Sequence, residues 1–262
     1  DSFDFGFGNP VLNLPAGNYT LTVDANGDNT GSYSFRLLDV ASAVPFTPGT
    51  PVSGDLTPAT ESDLYRFTAS AGDRFFFDVQ TGVGNATWRL VDPFSNILFS
   101  TQFTDDVDTL IFSQAGTYTL VIEGRRDSGT GTANYTFHVQ PVAAPVTTPI
   151  NVSDTVNGAI SVSGESDLYS FTLDSNVRLH FDSFTNNGNI VWTLVGPAGT
   201  HVSRRAFTGS DSFDFGFGNP VLNLPAGDYT LTVDANGDNT GSYSFRLLDV
   251  ASAVPFIPGT AV

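Results

Sequence analysis

Residues 226–247 have the sequence AGDYTLTVDANGDNTGSYSFRL. Aromatic and aliphatic residues alternate with polar ones on both sides of Asn236-Gly237, as expected of strands that bury one face. An Asn-Gly pair between two such runs predicts a hairpin turn. Similar runs, bounded by turn residues, recur along the chain, and no long window has a helical period. We therefore predict an all-β protein.

The same stretch occurs twice, because residues 1–52 return as residues 211–262. The copies differ at three positions only, which are Asn18 against Asp228, Thr47 against Ile257 and Pro51 against Ala261. Tandem domains usually diverge much further than this. Such near-identity indicates recent duplication within an array of repeats.

A weaker repeat divides the chain into two related types of domain. The sequence ESDLYRF at 61–67 returns as ESDLYSF at 165–171. About eight short strands per domain, separated by turn residues, predict tandem jelly-roll or β-sandwich domains of ~105 residues each. The predicted domains are the second half of a type-two sandwich at 1–46, a type-one sandwich at 47–145, a type-two sandwich at 146–256 and the start of another type-one sandwich at 257–262.

Residues 1–46 form half of a sandwich by this interpretation. A half sandwich leaves strand edges and core side chains without partners. We therefore expect the missing half in other copies of the same repeat, within a continuous array or a homopolymer. The joints at 44–51 and 141–149 are rich in proline, which predicts extended, semi-rigid spacers.

Composition excludes several classes of function. The chain has 10 basic and 27 acidic residues, a net charge of −17, which argues against nucleic-acid partners and against docking on anionic lipid. It has no cysteine, so a disulfide or thiolate site is excluded. No apolar run reaches the ~18 residues of a membrane-spanning helix, and no serine-hydrolase or zinc-protease motif occurs. We predict a protein that is not an enzyme and does not insert into membranes.

One loop, present in both copies, has the composition of a calcium site. Oxygen-bearing side chains at alternate positions suit a hard cation. A plain Asn-Gly turn without metal explains the same residues, and no other cofactor is predicted. The candidate calcium ligands are Asp24, Asn26, Asp28, Asp234, Asn236 and Asp238.

Aromatic residues supply candidate core and contact positions. Trp88 and Trp192 recur at one position of both domain types, which predicts core packing rather than a sugar-stacking platform. Three alternating phenylalanines, present in both copies, are expected to point to one face and to pack in the core, or to contact a neighbouring unit by strand addition. These residues are Phe3, Phe5, Phe7, Phe213, Phe215 and Phe217.

Three motifs occur in both domain types in the same order. They are Asp-Leu-Tyr-x-Phe at 63–67 and 167–171, Trp-x-Leu-Val at 88–91 and 192–195, and Ala-Gly-x-Tyr-x-Leu at 115–120 and 226–231. Together they resemble the bacterial pre-peptidase C-terminal domain. The resemblance implies secreted jelly-roll modules, attached to peptidases or strung along large surface proteins, some of which bind calcium or matrix. Because residues 1–52 and 211–262 are almost identical, we favour the arrangement in which such modules follow one another along a large surface protein.

These observations lead to two main functional hypotheses. The first is a structural repeat unit of a secreted bacterial surface or filament-forming protein, located outside the cell and assembled through head-to-tail β-sandwich domains. The alternative is the stalk or ligand-binding region of a large adhesin that holds carbohydrate, matrix or another cell. An accessory domain of a secreted peptidase is a third hypothesis.

Overall fold

The computed structural model describes residues 11–125, 128–211, 221–255 and 257–258. Within these ranges the protein has 18 strands in four sheets and three single-turn 3-10 helices, which confirms the predicted all-β, β-sandwich class. Two compact units make up the chain. None of the helices in the described ranges is long and apolar enough to cross a membrane.

The first sandwich contains nine strands. One sheet has the order β1-β3-β8-β5-β6 and the other β2-β9-β4-β7. The strands are β1 (Val44–Pro45), β2 (Val52–Leu56), β3 (Ser62–Ala69), β4 (Arg74–Thr81), β5 (Ala86–Val91), β6 (Ile97–Gln102), β7 (Val107–Ile111), β8 (Gly116–Gly124) and β9 (Ala133–Pro141).

The second sandwich has the same topology. Its sheets have the orders β10-β12-β17-β14-β15 and β11-β18-β13-β16. The strands are β10 (Thr147–Pro149), β11 (Thr155–Ile160), β12 (Ser166–Leu173), β13 (Val177–Ser183), β14 (Ile190–Gly196), β15 (Gly199–Ala206), β16 (Val221–Leu224), β17 (Gly227–Ala235) and β18 (Gly241–Asp249).

The proline-rich joints are edge strands rather than spacers alone. Val44 and Pro45 pair in parallel with Tyr65 and Arg66, and β10 pairs in the same way with β12. Proline is tolerated at a sheet edge because no further strand needs its missing N–H. Each joint is therefore fixed to the sandwich that follows it.

The predicted hairpin at Asn236-Gly237 is wrong in one respect. A tight turn does form, because the Asn239 N–H donates to the Asn236 carbonyl at 3.2 Å and Gly237 has a φ of 57°. However, β17 and β18 belong to different sheets. Since β17 already has β12 and β14 on its two edges, the chain after the turn crosses to the opposite sheet.

The core of each sandwich lies between its two sheets and is largely aromatic. In the second sandwich the Phe181 ring stacks on Trp192 at 3.9 Å and on Phe245 at 5.2 Å, measured between ring centroids. Trp88 and Trp192 are both fully buried, which confirms the predicted core packing. Burying a large apolar side chain contributes about 1.5–3 kcal/mol, so a few such rings account for much of the stability.

Candidate functional site

A buried polar cluster joins the two sheets of the first sandwich. Asp63 and Tyr65 lie on β3 of one sheet and Tyr135 lies on β9 of the other. The Tyr135 hydroxyl donates to Asp63 Oδ2 at 2.5 Å, and its oxygen lies 2.7 Å from the Tyr65 hydroxyl oxygen. Side chains 70 residues apart in the chain are thereby connected across the core.

The second sandwich contains the same cluster. Tyr243 on β18 donates to Asp167 Oδ2 at 2.5 Å, and its oxygen lies 2.7 Å from the hydroxyl oxygen of Tyr169 on β12. A glycine makes room for it, because a Cβ at Gly158 would lie 2.4 Å from Tyr243 Oη. Gly54 has the equivalent position in the first sandwich, where a Cβ would lie 2.5 Å from Tyr135 Oη.

The electrostatics of the cluster favour a structural role. Burial raises the pKa of Tyr65 and, together with the hydrogen bonds to Asp63 and Tyr65, raises the pKa of Tyr135. The hydroxyls therefore stay protonated and available as donors. Burial also raises the pKa of Asp63, although the hydrogen bond from Tyr135 opposes it. Asp63 thus accepts from a tyrosine of the opposite sheet.

In the second sandwich, an arginine from β15 contacts two of the predicted calcium ligands. Arg204 Nη1 lies 2.6 Å from Asp234 Oδ2, and Arg204 Nη2 donates to Asn236 Oδ1 at 3.0 Å. Asp234 Oδ1 accepts the N–H of Ala235 at 2.7 Å. A calcium ion would have to compete with the guanidinium for these oxygens. Asp238 contributes its backbone carbonyl, which accepts from the Ser163 hydroxyl at 3.0 Å.

With the residues that the structure describes, the first copy of the loop forms local contacts only. Asp24 Oδ1 accepts the N–H of Ala25 at 2.9 Å, and the side-chain amide of Asn29 donates to the Asn26 carbonyl at 2.5 Å. Asp28 is exposed in the same turn. Calcium binding at these residues stays a prediction.

The six phenylalanines predicted as core or inter-unit contact residues lie outside the described residues. They are Phe3, Phe5, Phe7, Phe213, Phe215 and Phe217.

The repeated sequence adopts two different states. Residues 12–39, which we call the exposed copy, form no strand, and every one of them is exposed. Residues 222–249, which we call the folded copy, differ from them only at Asp228 and supply β16, β17 and β18. Tyr33 is 68% exposed, for example, whereas its counterpart Tyr243 is 3% exposed and part of the buried cluster. The exposed copy thus carries a full set of core side chains.

Local contacts are the same in both copies. The Tyr19 hydroxyl donates to the Pro15 carbonyl, as the Tyr229 hydroxyl donates to Pro225 at 2.7 Å. Contacts over longer sequence distances differ, because Arg36 donates to the Ser62 carbonyl at 3.1 Å and lies 3.6 Å from Glu61, whereas Arg246 pairs with Asp182. The exposed copy therefore presents to solvent the apolar side chains that the folded copy buries.

No protein-family model and no curated protein matches this chain. Solved structures that it resembles include the pre-peptidase C-terminal domain of a collagenase from Bacillus anthracis, with 15% identity over 40% of this chain and 97% of that one, at a TM-score of 0.30. The periplasmic g-type lysozyme inhibitor PliG of Aeromonas hydrophila has 15% identity over 38% of this chain and 95% of that one, at 0.33. The CUB1-EGF-CUB2 domains of rat MASP-1 have 10% identity over 78% and 99%, at 0.26. These scores are low, and no function is taken from them.

Proposed function

We propose that the chain is a structural repeat unit of a secreted bacterial surface or filament-forming protein, in which β-sandwich domains follow one another head to tail. One observation carries the proposal. Nearly identical sequences are present as a folded copy, which completes a sandwich, and as an exposed copy, which forms no strand. The exposed copy has the residues to complete one more sandwich of the same type.

The edge strands support continuation of such an array. Val254-Pro255 repeats the sequence of β1, and Val254 is 86% exposed and outside any strand. In the first sandwich the equivalent residues, Val44 and Pro45, pair with β3. A type-one sandwich placed after residue 255 would take up this segment as its first edge strand. Each sandwich type could therefore be followed by the other in the same way.

Composition supports an extracellular location. The chain has no cysteine, and charged residues make up only 14% of it. A net charge of −17 keeps repeated units soluble and discourages binding to nucleic acid or anionic lipid. Because the chain has no cysteine, its stability depends on aromatic cores and cross-sheet hydrogen bonds rather than on disulfides.

Electron microscopy of native, unfixed material tests the proposal. Regular fibres with an axial repeat of about 60–100 Å, the length expected for two sandwiches of this size, would support it. Isolated flexible strings without axial order would contradict it and would favour an adhesin stalk instead.

A further inference from the structure

We infer that the Arg204 guanidinium takes the place of a divalent cation in the second sandwich. The oxygen atoms around it form a cation site, which accepts Ca²⁺ only when the guanidinium is withdrawn. This role goes beyond the proposed function and is separate from it, because it concerns contacts within one sandwich.

Three oxygen atoms converge on the Arg204 side chain. Nη1 lies 2.6 Å from Asp234 Oδ2, and Nη2 lies 3.0 Å from Asn236 Oδ1 and 3.4 Å from the Ala235 carbonyl oxygen. Carboxylate, amide and backbone carbonyl oxygens are the ligands that Ca²⁺ takes in proteins. All three belong to consecutive residues at the end of β17, and the guanidinium supplies the positive charge next to them.

The backbone of Arg204 is held in a conformation that brings the side chain to these oxygens. Its φ is 42°, a value that residues other than glycine seldom adopt. Strand β15 has a bulge here, so that Ser203 and Arg204 both lie opposite Thr193. Thr193 Oγ1 accepts the Arg204 N–H at 3.1 Å. An unusual φ persists where the surrounding contacts fix it, and here they fix the position of the guanidinium.

The first sandwich contains the same kind of ion pair but takes its arginine from another strand. Glu123 is the counterpart of Asp234, because the two pair with Ser62 and Ser166 at the same point of the repeated ESDLY sequence. Arg89 of β5 lies 2.6 Å from Glu123. A carboxylate therefore has a guanidinium partner at this position of both sandwiches.

An arginine and a small hydroxyl residue have exchanged strands between the two sandwiches. Arg89 on β5 lies opposite Ser100 on β6. In the second sandwich Thr193 lies on the strand equivalent to β5, and Arg204 lies opposite it on the edge strand β15. A partly buried carboxylate is costly without a counter-charge. Two different sources of the same counter-charge indicate that the position requires a cation.

Solvent exposure distinguishes the two sites. The side chains of Arg89 and Glu123 are 3% and 7% exposed, whereas those of Arg204 and Asp234 are 48% and 23% exposed. An ion pair that is open to solvent is weak and is screened by salt, so the second site is the one that another cation can enter. Three protein oxygens leave water to complete the ~6–8 ligands of Ca²⁺, which predicts weak binding.

Calcium titration of the full chain, by calorimetry and flow dialysis, tests the inference. Arg204→Ser introduces the residue that lies opposite Arg89 in the first sandwich. We expect this variant to bind one more Ca²⁺ per chain than the wild type, with a dissociation constant on the order of 10⁻⁴–10⁻³ M. Millimolar Ca²⁺ should also raise its thermal unfolding temperature. Adding Asp234→Asn should remove the extra ion, and comparison with the wild type accounts for Ca²⁺ bound elsewhere.

Two further variants serve as controls. Arg204→Ser combined with Thr193→Arg moves the guanidinium to the neighbouring strand, as in the first sandwich. This chain should bind no more Ca²⁺ than the wild type and should unfold at a higher temperature than Arg204→Ser alone. Arg178→Ser removes one exposed arginine of β13 and should add no Ca²⁺. An equal gain in Arg178→Ser and Arg204→Ser would mean that net charge alone attracts the ion, which contradicts a site.

Three other results would overturn the inference. An Arg204→Ser chain that binds no more Ca²⁺ than the wild type would show that the oxygens do not form a cation site. Loss of a Ca²⁺ from the wild-type chain on Asp234→Asn would show that the metal, and not the guanidinium, is the resident cation. Extra binding that persists after Thr193→Arg would show that the two arginine positions are not equivalent. The axial repeat of native fibres is a separate measurement, so the proposed function stands or falls independently.

Discussion

Phe35 and Phe245 occupy equivalent positions of one repeated sequence, yet Phe35 is 56% exposed and Phe245 is fully buried. The residues around both are identical along the chain, so sequence neighbours do not explain the difference. What differs is the presence of β11 and β13 beside Phe245. In this protein a strand forms where another part of the chain is available to pair with it.

Turns and caps, in contrast, depend on near neighbours only. Asp39 and Asp249 each accept the backbone N–H of the residue two positions ahead, at 2.9 and 2.8 Å, and each begins a 3-10 turn. The geometry is the same whether or not the preceding strands are formed. These turns therefore form from local sequence alone.

Removing one tyrosine hydroxyl should have unequal consequences in the folded and the exposed copy. Tyr243→Phe removes the donor to Asp167 and leaves two buried polar groups short of a partner, so we expect a loss of about 1–3 kcal/mol from the stability of the second sandwich. Tyr33→Phe, the matched change in the exposed copy, should cost almost nothing. Thermal or urea unfolding of both variants checks this, and equal losses would contradict the role assigned to the cluster.

Gly158 should not tolerate even a methyl group. A Cβ there would lie 2.4 Å from Tyr243 Oη and 2.8 Å from Tyr169 Oη, so Gly158→Ala must displace the cluster, at a cost of about 1–3 kcal/mol. Gly188→Ala in the same sandwich is the control, because the nearest atom to its Cβ is Thr208 Oγ1 at 3.5 Å. Calorimetry of the two variants provides the measurement. A Gly158→Ala variant as stable as the control would contradict the prediction.

Asp92 should make stability depend on acid pH. Burial acts to raise the pKa of Asp92, but hydrogen bonds from the side chain and backbone of Asn96 and from the Phe94 N–H outweigh it and lower the pKa below 3.8. The unfolded chain therefore binds the proton more tightly than the folded one. It follows that Asp92 stabilises the fold above about pH 3.8 and loses this effect as the pH falls through its lowered pKa.

Urea unfolding at a series of pH values tests this dependence. We expect Asp92→Asn to be less stable than the wild type at pH 7, with the gap narrowing as the pH approaches 3. A gap that stays constant across this range would mean that the carboxylate charge contributes nothing there.

A buried ion pair on neighbouring strands of the first sandwich gives a further prediction. Arg89 on β5 contacts Glu123 on β8 at 2.6 Å, and both side chains are almost fully buried. Glu123→Gln leaves the guanidinium without its counter-charge and should cost about 3–5 kcal/mol. Replacing both residues together, as Arg89→Met with Glu123→Leu, should cost much less. If the double variant were the less stable one, packing rather than charge pairing would be the main contribution of these side chains.

The fold class could be predicted from sequence because alternation and turn residues are local signals. The pairing of strands could not. The turn at Asn236-Gly237 has the sequence of a hairpin but connects two sheets, because β17 already has a neighbour on each edge. Val44-Pro45 has the sequence of a spacer, yet it pairs with β3. In both cases the outcome depends on strands far away in the chain.

The candidate site was predictable to a similar extent. The motif that contains Asp63 and Tyr65 is visible as a repeat in both domain types. Their hydrogen bonds connect strands about 70 residues apart, a distance over which no spacing rule applies. Likewise, nothing in the loop sequence around Asp234 indicates that Arg204 contacts it. That residues 1–46 need a partner was predicted from the repeat alone, and it stays a prediction.

Hydrogen–deuterium exchange of the wild-type chain tests most directly whether one sequence holds two states. Residues 19–39 and 229–249 are identical, so peptides cut from them have the same mass and the same intrinsic exchange rates. We expect this peptide mass to show two populations of equal intensity, one that exchanges at once and one that is protected by the sandwich. A single population, whether protected or not, would contradict the distinction between the exposed and the folded copy.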